Sequence, residues 1–471
     1  MIAFFRRIFL LLLSSNKMRL ESHTGWLSHS LRKWPAMVHR VERRTGNSVV
    51  FTRFLWDSLW AILGQVLSAA GMVFGVRIIT EYVSPSVFGT VSLLMGIVTL
   101  GSGVLSAPVL QATLRMYPDM QRQNMLPLLL TEIRRLLVAS NGLLIAVGGA
   151  AALIYCLLSE ADFVVPLVLA GLVVLEAMRG LVVTVLSAEN KIKAYTLFTS
   201  GDVWARQILA VLLVIVFGAS VTSVIDGYLV GALFLCVCCA TIFRGMYRQS
   251  DVQCEPEQKE QLHREIVEFS RPLIAIALAA WVSGLGDRYI IGGLLGVDAA
   301  GIYAAVYALV SKPFLMISAA IELALRQSYY HAVTVRDDSA QARVMYTWVV
   351  STLVASVLCL VVMVFWAEEL AALLLGEKFR GGASLMPWIA GGYCLLGLST
   401  PFERRAYAYK KTVNVLKIQV GSAIASILVA AIGTYFCGLP GAAWAVPVYF
   451  GCQLTLAICL TRHLSRSSLS A

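Results

Sequence analysis

Long apolar runs recur from about residue 54 to residue 460. A bilayer core about 30 Å thick is crossed by roughly 20 mostly apolar helical residues. Twelve runs meet this length, approximately 54–80, 87–110, 136–158, 163–186, 197–217, 224–243, 273–295, 299–323, 346–366, 385–407, 413–436 and 439–460. The fifth is interrupted by Asp202 and Arg206. We therefore predict an all-α polytopic membrane protein with twelve transmembrane helices.

The composition excludes several other classes of protein. Of the 471 residues, 58% are hydrophobic and 14% are charged, whereas about a quarter of the residues in a soluble domain are charged. Too few polar residues are present to cover a water-facing surface of this size. A soluble enzyme, a disordered chain and a disulfide scaffold are therefore excluded.

The net charge of +11 is explained by membrane orientation. Most of the 38 Lys and Arg residues lie on one side of the predicted spans, whereas the opposite loops hold Lys378 and Arg380 with seven acidic residues. Loops rich in Lys and Arg face the cytoplasm. We predict a multi-pass membrane protein with both termini in the cytoplasm and without a nucleic-acid partner.

Two halves of the chain resemble each other. Residues 77–89 align without a gap with 289–301, and 166–171 resemble 387–392. A parallel repeat of six spans relates two lobes about an axis along the membrane normal, with the transport site between them. The predicted division is a basic extension at 1–53, an N-lobe at 54–246, an inter-lobe loop at 247–270, a C-lobe at 271–462 and a tail at 463–471.

Charges inside the spans are the strongest site candidates, because each costs roughly 2.5–3.5 kcal/mol at a helix centre on insertion scales. Glu176 and Arg179, and likewise Asp202 and Arg206, have helical spacing, so each pair shares a face and neutralises itself. A structural ion pair is the favoured interpretation. The alternatives left open are substrate contact by Arg179 and Arg206 and ion coupling through Asp202 and Glu176.

Two arginines occupy nearly equivalent places in the repeat, Arg77 and Arg288. Arg77 has no in-span acid at helical spacing by this assignment, and Asp287 adjoins Arg288 but points to another helix face. Guanidinium groups bind phosphate oxygens in a bidentate manner, so we predict a cationic cavity at these residues. Snorkelling to the membrane surface is the alternative, chiefly for Arg77. Lys312, before Pro313, is either a cavity cation or a neighbour of a hinge.

Cofactor chemistry has no support in the sequence. The histidines lie in tails or loops, and the cysteines inside the apolar runs have no histidine near them. No loop holds a phosphate-binding Gly-Lys-Ser/Thr motif. We predict no metal site, no cofactor, no nucleotide-binding domain and no catalytic residues.

Five segments carry a family resemblance, namely 64–89, 269–273 leading to the Asp-Arg-Tyr-Ile-Ile-Gly of 287–292, 301–308, 376–380 and 438–445. With these segments the chain, over about 54–462, resembles the Wzx-type flippases, the polysaccharide-transport branch of the multidrug/oligosaccharidyl-lipid/polysaccharide (MOP) exporter superfamily. The resemblance implies two six-helix lobes, related by pseudo-two-fold symmetry, around a cavity that opens alternately to each side. It also implies an undecaprenyl-pyrophosphate-linked oligosaccharide as cargo, with a polysaccharide polymerase and chain-length machinery as further partners. The 53-residue leader departs from the family pattern.

Such a cargo needs a cationic cavity for its head group and a lateral opening to the membrane lipids for its tail. The small residues Gly64, Ser68, Gly71 and Gly75 on one stripe of the first span are expected to allow close packing or bending there.

Three alternatives remain. A drug or cation antiporter of the same superfamily is expected to have an acidic cavity. The peptidoglycan-precursor flippase branch usually has more than twelve spans. A membrane polymerase or glycosyltransferase typically needs a larger loop than 367–384, the longest outer loop of this sequence.

Overall fold

The computed structural model describes residues 48–159, 164–246 and 256–464, and in these ranges it contains helices and turns without a β-strand. The long helices are α1 (Ser48–Tyr82), α2 (Pro85–Arg122), α3 (Leu126–Ser159), α4 (Val164–Ala188), α5 (Ile192–Phe217), α6 (Val221–Met246), α7 (Pro256–Leu294), α8 (Val297–Thr334), α9 (Asp338–Phe365) and α10 (Met386–Ala408). The last helical stretch, Thr412–Thr461, is divided at Gly438 into α11 (412–437) and α12 (439–461), because Gly438 has a φ of 64°. Between α9 and α10, the short helix Ala367–Leu374 and the 3-10 helix Glu377–Leu385 form a segment that we call the strap.

Each of the twelve predicted spans falls on one of these helices, so the all-α class is confirmed. Eight helices of the described ranges, with Thr412–Thr461 counted once, are long and apolar enough to cross a membrane. One of them is α5, which continues without a break through Asp202 and Arg206. The helix α2 is also continuous, although Ser102–Ser106 forms a π-helical turn within it.

The predicted domain limits differ from the structure at the inter-lobe loop. Residues 256–270 of the predicted loop 247–270 are helical and begin α7, and the remaining residues lie outside the described ranges. This helix is amphipathic, with Leu262 and Ile266 buried against apolar residues of α2 and α3 while Glu260 and Arg264 pair on the exposed face. A search for uniformly apolar runs cannot detect such a segment. Residues 1–47 and 465–471, most of the predicted terminal segments, also lie outside the described ranges.

Local sequence explains where two of the helices begin. Ser84 accepts a hydrogen bond from the backbone N–H of Val87 at 3.4 Å, and Pro85 occupies the first turn of α2, where its missing N–H costs nothing. Asp337 caps α9 in the same way through the N–H of Ala340 at 2.9 Å. This bond, with a second from the Ser339 hydroxyl, holds the pKa of the exposed Asp337 carboxyl below its ordinary value.

The predicted repeat is visible where α2 crosses α8. A Cβ added to Gly89 would lie 2.1 Å from the carbonyl oxygen of Val297, and one added to Gly301 would lie 1.9 Å from that of Pro85. Gly89 and Gly301 are the aligned glycines of 77–89 and 289–301. Their contact is reciprocal, as a two-fold relation between like surfaces requires.

Backbone conformation repeats in the same way. Asn124 and Arg336 end α2 and α8 in left-handed conformation, and Asn190 and Lys410 follow α4 and α10 likewise. Short turns make consecutive helices antiparallel, so these four turns lie on one side of the bundle, here called the basic side. The turns between α1 and α2 and between α7 and α8, together with the strap, lie on the opposite, acidic side.

The small-residue stripe of α1 packs closely against α5. Added Cβ atoms would lie 2.8 Å from the Thr196 side chain at Gly64, 2.9 Å from the Trp204 ring at Gly71 and 2.2 Å from the Gln207 side chain at Gly75. Between them, Ser68 donates a hydrogen bond to the Ser200 hydroxyl at 3.4 Å. The expectation of close packing along this stripe agrees with the structure.

Candidate functional site

Three consecutive residues of α7, Asp287, Arg288 and Tyr289, contact three different parts of the molecule. The fully buried Asp287 carboxylate accepts hydrogen bonds from the Tyr303 hydroxyl of α8 at 2.6 Å and from the Tyr449 hydroxyl of α12 at 3.4 Å. The backbone N–H of Arg288 also donates to it at 2.8 Å. In the opposite direction, the Tyr289 hydroxyl donates to the carbonyl oxygen of Leu93 on α2 at 2.7 Å. Asp287 therefore contacts helices of the second half, and Tyr289 contacts the first half.

The Arg288 guanidinium lies where α2, α7 and α8 meet. Its central carbon is 4.9 Å from the centre of the Tyr307 ring, and one terminal nitrogen donates to the Ser92 hydroxyl at 3.4 Å. Its Nε is buried without a hydrogen-bond partner in the described ranges. No described carboxylate lies within ion-pair distance of this guanidinium, because the Asp287 carboxylate is engaged by the two tyrosines.

Lys312 of α8 is a second cation close to this position. It is partly buried, and the positive charge of Arg288 acts on it directly. It forms no ion pair with the described residues. The helix continues through Pro313. We call Arg288 and Lys312 the cation pair.

The cation pair provides what an oxyanion needs. A guanidinium can bind two phosphate oxygens at once, and an ammonium adds a compact point charge beside it. Two like charges held together without an acid repel each other, and an anion between them relieves that repulsion. Among the described residues, no group of three or more His, Cys, Asp or Glu is arranged to hold a metal ion.

The structure places Arg77 away from the cation pair. Its guanidinium forms an ion pair with Glu81 on the next turn of α1, and its Nε donates to the carbonyl oxygen of Leu373 in the strap at 3.0 Å. The expectation that Arg77 lacks an acid at helical spacing is therefore wrong. Glu81 was assigned to the loop beyond the predicted span end at residue 80, but α1 continues to Tyr82.

The other four predicted site residues form one network between α4 and α5. Arg206 contacts Asp202 and Glu176, each at 2.8 Å, and Arg179 contacts Glu176 and lies 3.6 Å from Asp202. Each acid thus has two arginine neighbours, and the four charges sum to zero. The sequence predicted the two pairs within the helices but not the contacts between the helices. This neutral cluster does not share a contact with the cation pair.

A second set of polar residues lies in the last six helices. Glu322 of α8 pairs with Arg326 at 3.0 Å and with Arg404 of α10 at 2.9 Å. Beside Arg404, Glu403 accepts hydrogen bonds from Gln453 at 2.7 Å and Gln419 at 3.2 Å. Sequence reasoning missed Glu403. The available signal was its place inside the span 385–407, with two glutamines inside the spans that follow.

Contacts between the first and last six helices close the basic side. His263 Nδ1 of α7 lies 2.7 Å from Oε1 of the fully buried Glu132 of α3. Nearby, the Ser270 hydroxyl donates to the carbonyl oxygen of Pro108 at 3.3 Å, and the Arg115 guanidinium lies 4.7 Å from the centre of the Phe269 ring.

The strap closes the acidic side. The backbone N–H of Gly376 donates to the Thr80 hydroxyl at 2.9 Å, and a Cβ on Gly376 would lie 2.1 Å from the Thr80 carbonyl oxygen. The rings of Phe88 and Phe379 meet edge to face, with centres 5.6 Å apart. Together with the bond from Arg77, these contacts hold the strap against the ends of α1 and α2.

Known proteins resemble this chain in sequence or in fold. A family described as polysaccharide biosynthesis protein matches residues 77–383, more than half of the chain. No curated protein matches.

Among solved structures, the lipid II flippase MurJ in an inward closed conformation matches with a TM-score of 0.65 and 10% identity over 88% of this chain and 91% of its own. The inward-facing conformation of a multidrug resistance MATE family transporter of the MOP superfamily matches with a TM-score of 0.59 and 13% identity over 87% of this chain and 94% of its own. The outward-facing conformation matches with a TM-score of 0.57 and 12% identity over 88% of this chain and 95% of its own. At these identities the likeness shows the fold, and the predicted MOP-like fold is confirmed. The matched structures are those of a flippase and of a multidrug resistance transporter.

Proposed function

Since the chain belongs to the family of polysaccharide biosynthesis proteins, we propose that it flips an undecaprenyl-pyrophosphate-linked oligosaccharide from the cytoplasmic to the periplasmic leaflet. The product serves the synthesis of an exopolysaccharide, a capsule or an O-antigen. The similarly folded MurJ is a flippase of lipid II, which supports cargo of the lipid-linked class.

The observation that carries this proposal is the cation pair. Neither Arg288 nor Lys312 forms an ion pair with the described residues. Arg288 lies where α7 and α8 meet α2, and its charge acts on the partly buried Lys312 of α8. A pyrophosphate supplies the missing negative charge. The Arg77 guanidinium is instead paired with Glu81 and bound to the strap.

The two sets of closing contacts support alternating access. One set joins α7 to α2 and α3 on the basic side, and the other joins the strap to α1 and α2 on the acidic side. They share no residue, so either can separate while the other holds. Opening the basic side admits the head group, and opening the acidic side releases it.

The proposed orientation places the basic side in the cytoplasm of a bacterial inner membrane, because Lys and Arg concentrate in cytoplasmic loops. The sugar repeat unit is then received from cytoplasmic glycosyltransferases. The flipped unit passes to a polymerase and its chain-length machinery on the periplasmic side.

A multidrug or cation antiporter is the second candidate, because the multidrug resistance MATE transporter shares the fold. The charges of this chain argue against it. The acids between α4 and α5 are neutralised by Arg179 and Arg206, and the unpaired charge beside α2, that of Arg288, is positive. A cationic drug would be repelled from that position.

Deleting the gene tests the proposal directly. We expect undecaprenyl-linked repeat units to accumulate on the cytoplasmic leaflet, with recovery by the wild-type gene and not by Arg288→Ala at equal protein level. Lys378→Ala, which removes an exposed lysine of the strap, is the matched control and is expected to restore export. Normal distribution of the units together with lost resistance to toxic cations would instead identify the antiporter.

A further inference from the structure

Glu403 differs from Glu176, Asp202 and Glu322, the carboxylates between the helices that are held by arginines. Its two oxygens accept hydrogen bonds from three neutral groups, the amides of Gln453 at 2.7 Å and Gln419 at 3.2 Å and the Ser399 hydroxyl at 3.4 Å. The donors come from α10, α11 and α12. In the described ranges, no cation lies within ion-pair distance of Glu403.

Three other in-span acids have arginine partners, whereas Asp287 of α7 is bound by the Tyr303 and Tyr449 hydroxyls and the backbone N–H of Arg288. Glu176 and Asp202 are each flanked by two arginines, and Glu322 is held by Arg326 and Arg404. Opposite charges this close keep a carboxylate ionised. Glu403 lacks this stabilisation, so a proton can bind to it without breaking an ion pair.

The glutamines suit both protonation states of Glu403. An amide offers a donor and an acceptor, and a rotation of its end group exchanges them. Gln419 and Gln453 can therefore donate to a carboxylate, or either can accept the proton of a carboxylic acid. Glu403 also keeps part of its surface exposed.

The charged surroundings of Glu403 are few. On its own helix, Arg404 follows it, but that guanidinium is turned to Glu322 of α8. The helices α11 and α12 present Gln419, Gln453 and the Ser422 hydroxyl, which donates to Gln453 at 2.9 Å. The charge of Arg404 still acts on Glu403 from the adjacent position, although its guanidinium pairs with Glu322. Tyr407, whose ring centre lies 5.6 Å from the Arg404 guanidinium, is the titratable neighbour on the same helix.

One helix connects Glu403 to the cation pair. Gln453 and Tyr449 are one turn apart on α12 and face the same way. Gln453 binds Glu403, and the Tyr449 hydroxyl donates to Asp287, the residue before Arg288. A movement of this face of α12 when Glu403 changes charge is transmitted to α7 at the position of Arg288.

We propose that Glu403 is a reversible proton-binding site, linked through α12 to the cation pair. Proton binding itself is independent of the proposed cargo, and the role of the proton in transport rests on the proposed function.

The test is infrared difference spectroscopy on the purified full-length protein, which detects the carbonyl stretch of a protonated carboxylic acid. We expect such a band to appear on acidification, to be absent from Glu403→Gln and to persist in Glu369→Gln, the control at an exposed acid. Glu403→Asp keeps a carboxyl and is expected to retain the band at a shifted titration midpoint, which provides a measurement if the glutamine variant is unstable. A band unchanged in Glu403→Gln and unshifted in Glu403→Asp overturns the proposal.

Titrations in sodium and potassium salts distinguish a proton-binding site from a sodium-binding site. If Glu403 binds a proton, titrations in NaCl and in KCl of equal strength are expected to coincide. Suppression of the band by NaCl alone would show that Glu403 binds sodium, and the proposal would be wrong.

A transport measurement separates this proposal from the proposed function. In Glu403→Gln, export is expected to lose its dependence on pH, while binding of the pyrophosphate lipid is retained. If wild-type protein shows the Glu403 band but moves no lipid-linked sugar, the proposed function fails and the proton site remains.

Discussion

Neighbouring residues on α7 have separate roles because a helix turns its successive side chains in different directions. Asp287 is held by Tyr303 and Tyr449, while Arg288 lies over Tyr307 and reaches Ser92. The acid forms no ion pair with the arginine beside it, so the hydrogen-bonding groups of the Arg288 guanidinium remain available to a ligand.

The first prediction concerns the contribution of the network between α4 and α5 to the stability of the fold. Glu176→Gln leaves Arg179 and Arg206 with one carboxylate between them, and we expect a loss of about 3 kcal/mol, as when one partner of a buried pair is removed. The double variant Glu176→Gln with Arg206→Gln restores neutrality and is expected to recover part of that loss. Thermal unfolding of the purified proteins in detergent measures both. An unchanged unfolding midpoint accompanied by lost transport would contradict this role and favour ion coupling.

Single residues also show which features of the site could be predicted from the sequence and which could not. Arg288 and Lys312 could be selected from the sequence, because a charge inside an apolar run costs insertion free energy and therefore indicates a functional role. The partners of Arg77 could not be predicted from the sequence, because its contact with Leu373 joins residues far apart in the chain. Glu403 was missed because the charges beside it were assigned to a loop.

At the level of helices, the crossing of α2 and α8 depends on two glycines. The atoms that would meet a Cβ at Gly89 or Gly301 are carbonyl oxygens of the opposite backbone. A backbone atom cannot rotate away as the end of a side chain can, so the helices would have to separate.

The second prediction follows from this crossing. We expect Gly301→Ala to destabilise the protein by about 1–3 kcal/mol, the usual cost of overpacking. Gly391→Ala on α10 is the matched control, because nothing lies within 4 Å of its added Cβ. Its expected effect is neutral or stabilising by up to about 1 kcal/mol. Equal unfolding midpoints for the two variants would contradict the close crossing.

The strap is the element that the sequence described least well. From the sequence, residues 367–384 are expected to form an outer loop, and the contacts of Leu373 and Gly376 with α1 are long-range. Those contacts depend on the tertiary fold, which neither apolar periodicity nor loop length specifies.

The third prediction concerns the attachment of the strap. Thr80→Val removes the acceptor of the buried Gly376 N–H, and an unsatisfied donor of this kind costs about 1–3 kcal/mol. We expect faster hydrogen exchange across 367–385 in this variant, while Thr80→Ser keeps the hydroxyl and the wild-type rate. Identical exchange in the two variants would show that the bond does not hold the strap.

For the whole molecule, the repeat was the part of the architecture that could be read from the sequence. Two aligned junctions in the sequence predicted the repeat. In the structure it is seen in the reciprocal contact of Gly89 and Gly301 and in the left-handed turns at Asn124 and Arg336. The closing contacts were not predicted. They join α7 to α3 through Glu132 and His263, and the strap to α1, and so depend on how the two halves meet.

The fourth prediction concerns the central claim, that the cation pair moves a lipid-linked pyrophosphate. The direct measurement is flipping of an undecaprenyl-pyrophosphate-linked oligosaccharide by the purified protein in liposomes. We expect wild-type protein and Lys378→Ala to flip it, and the double variant Arg288→Ala with Lys312→Ala, folded and inserted equally well, not to do so. Flipping at the wild-type rate by the double variant, or transport of an organic cation in place of the lipid by the wild type, would contradict the account.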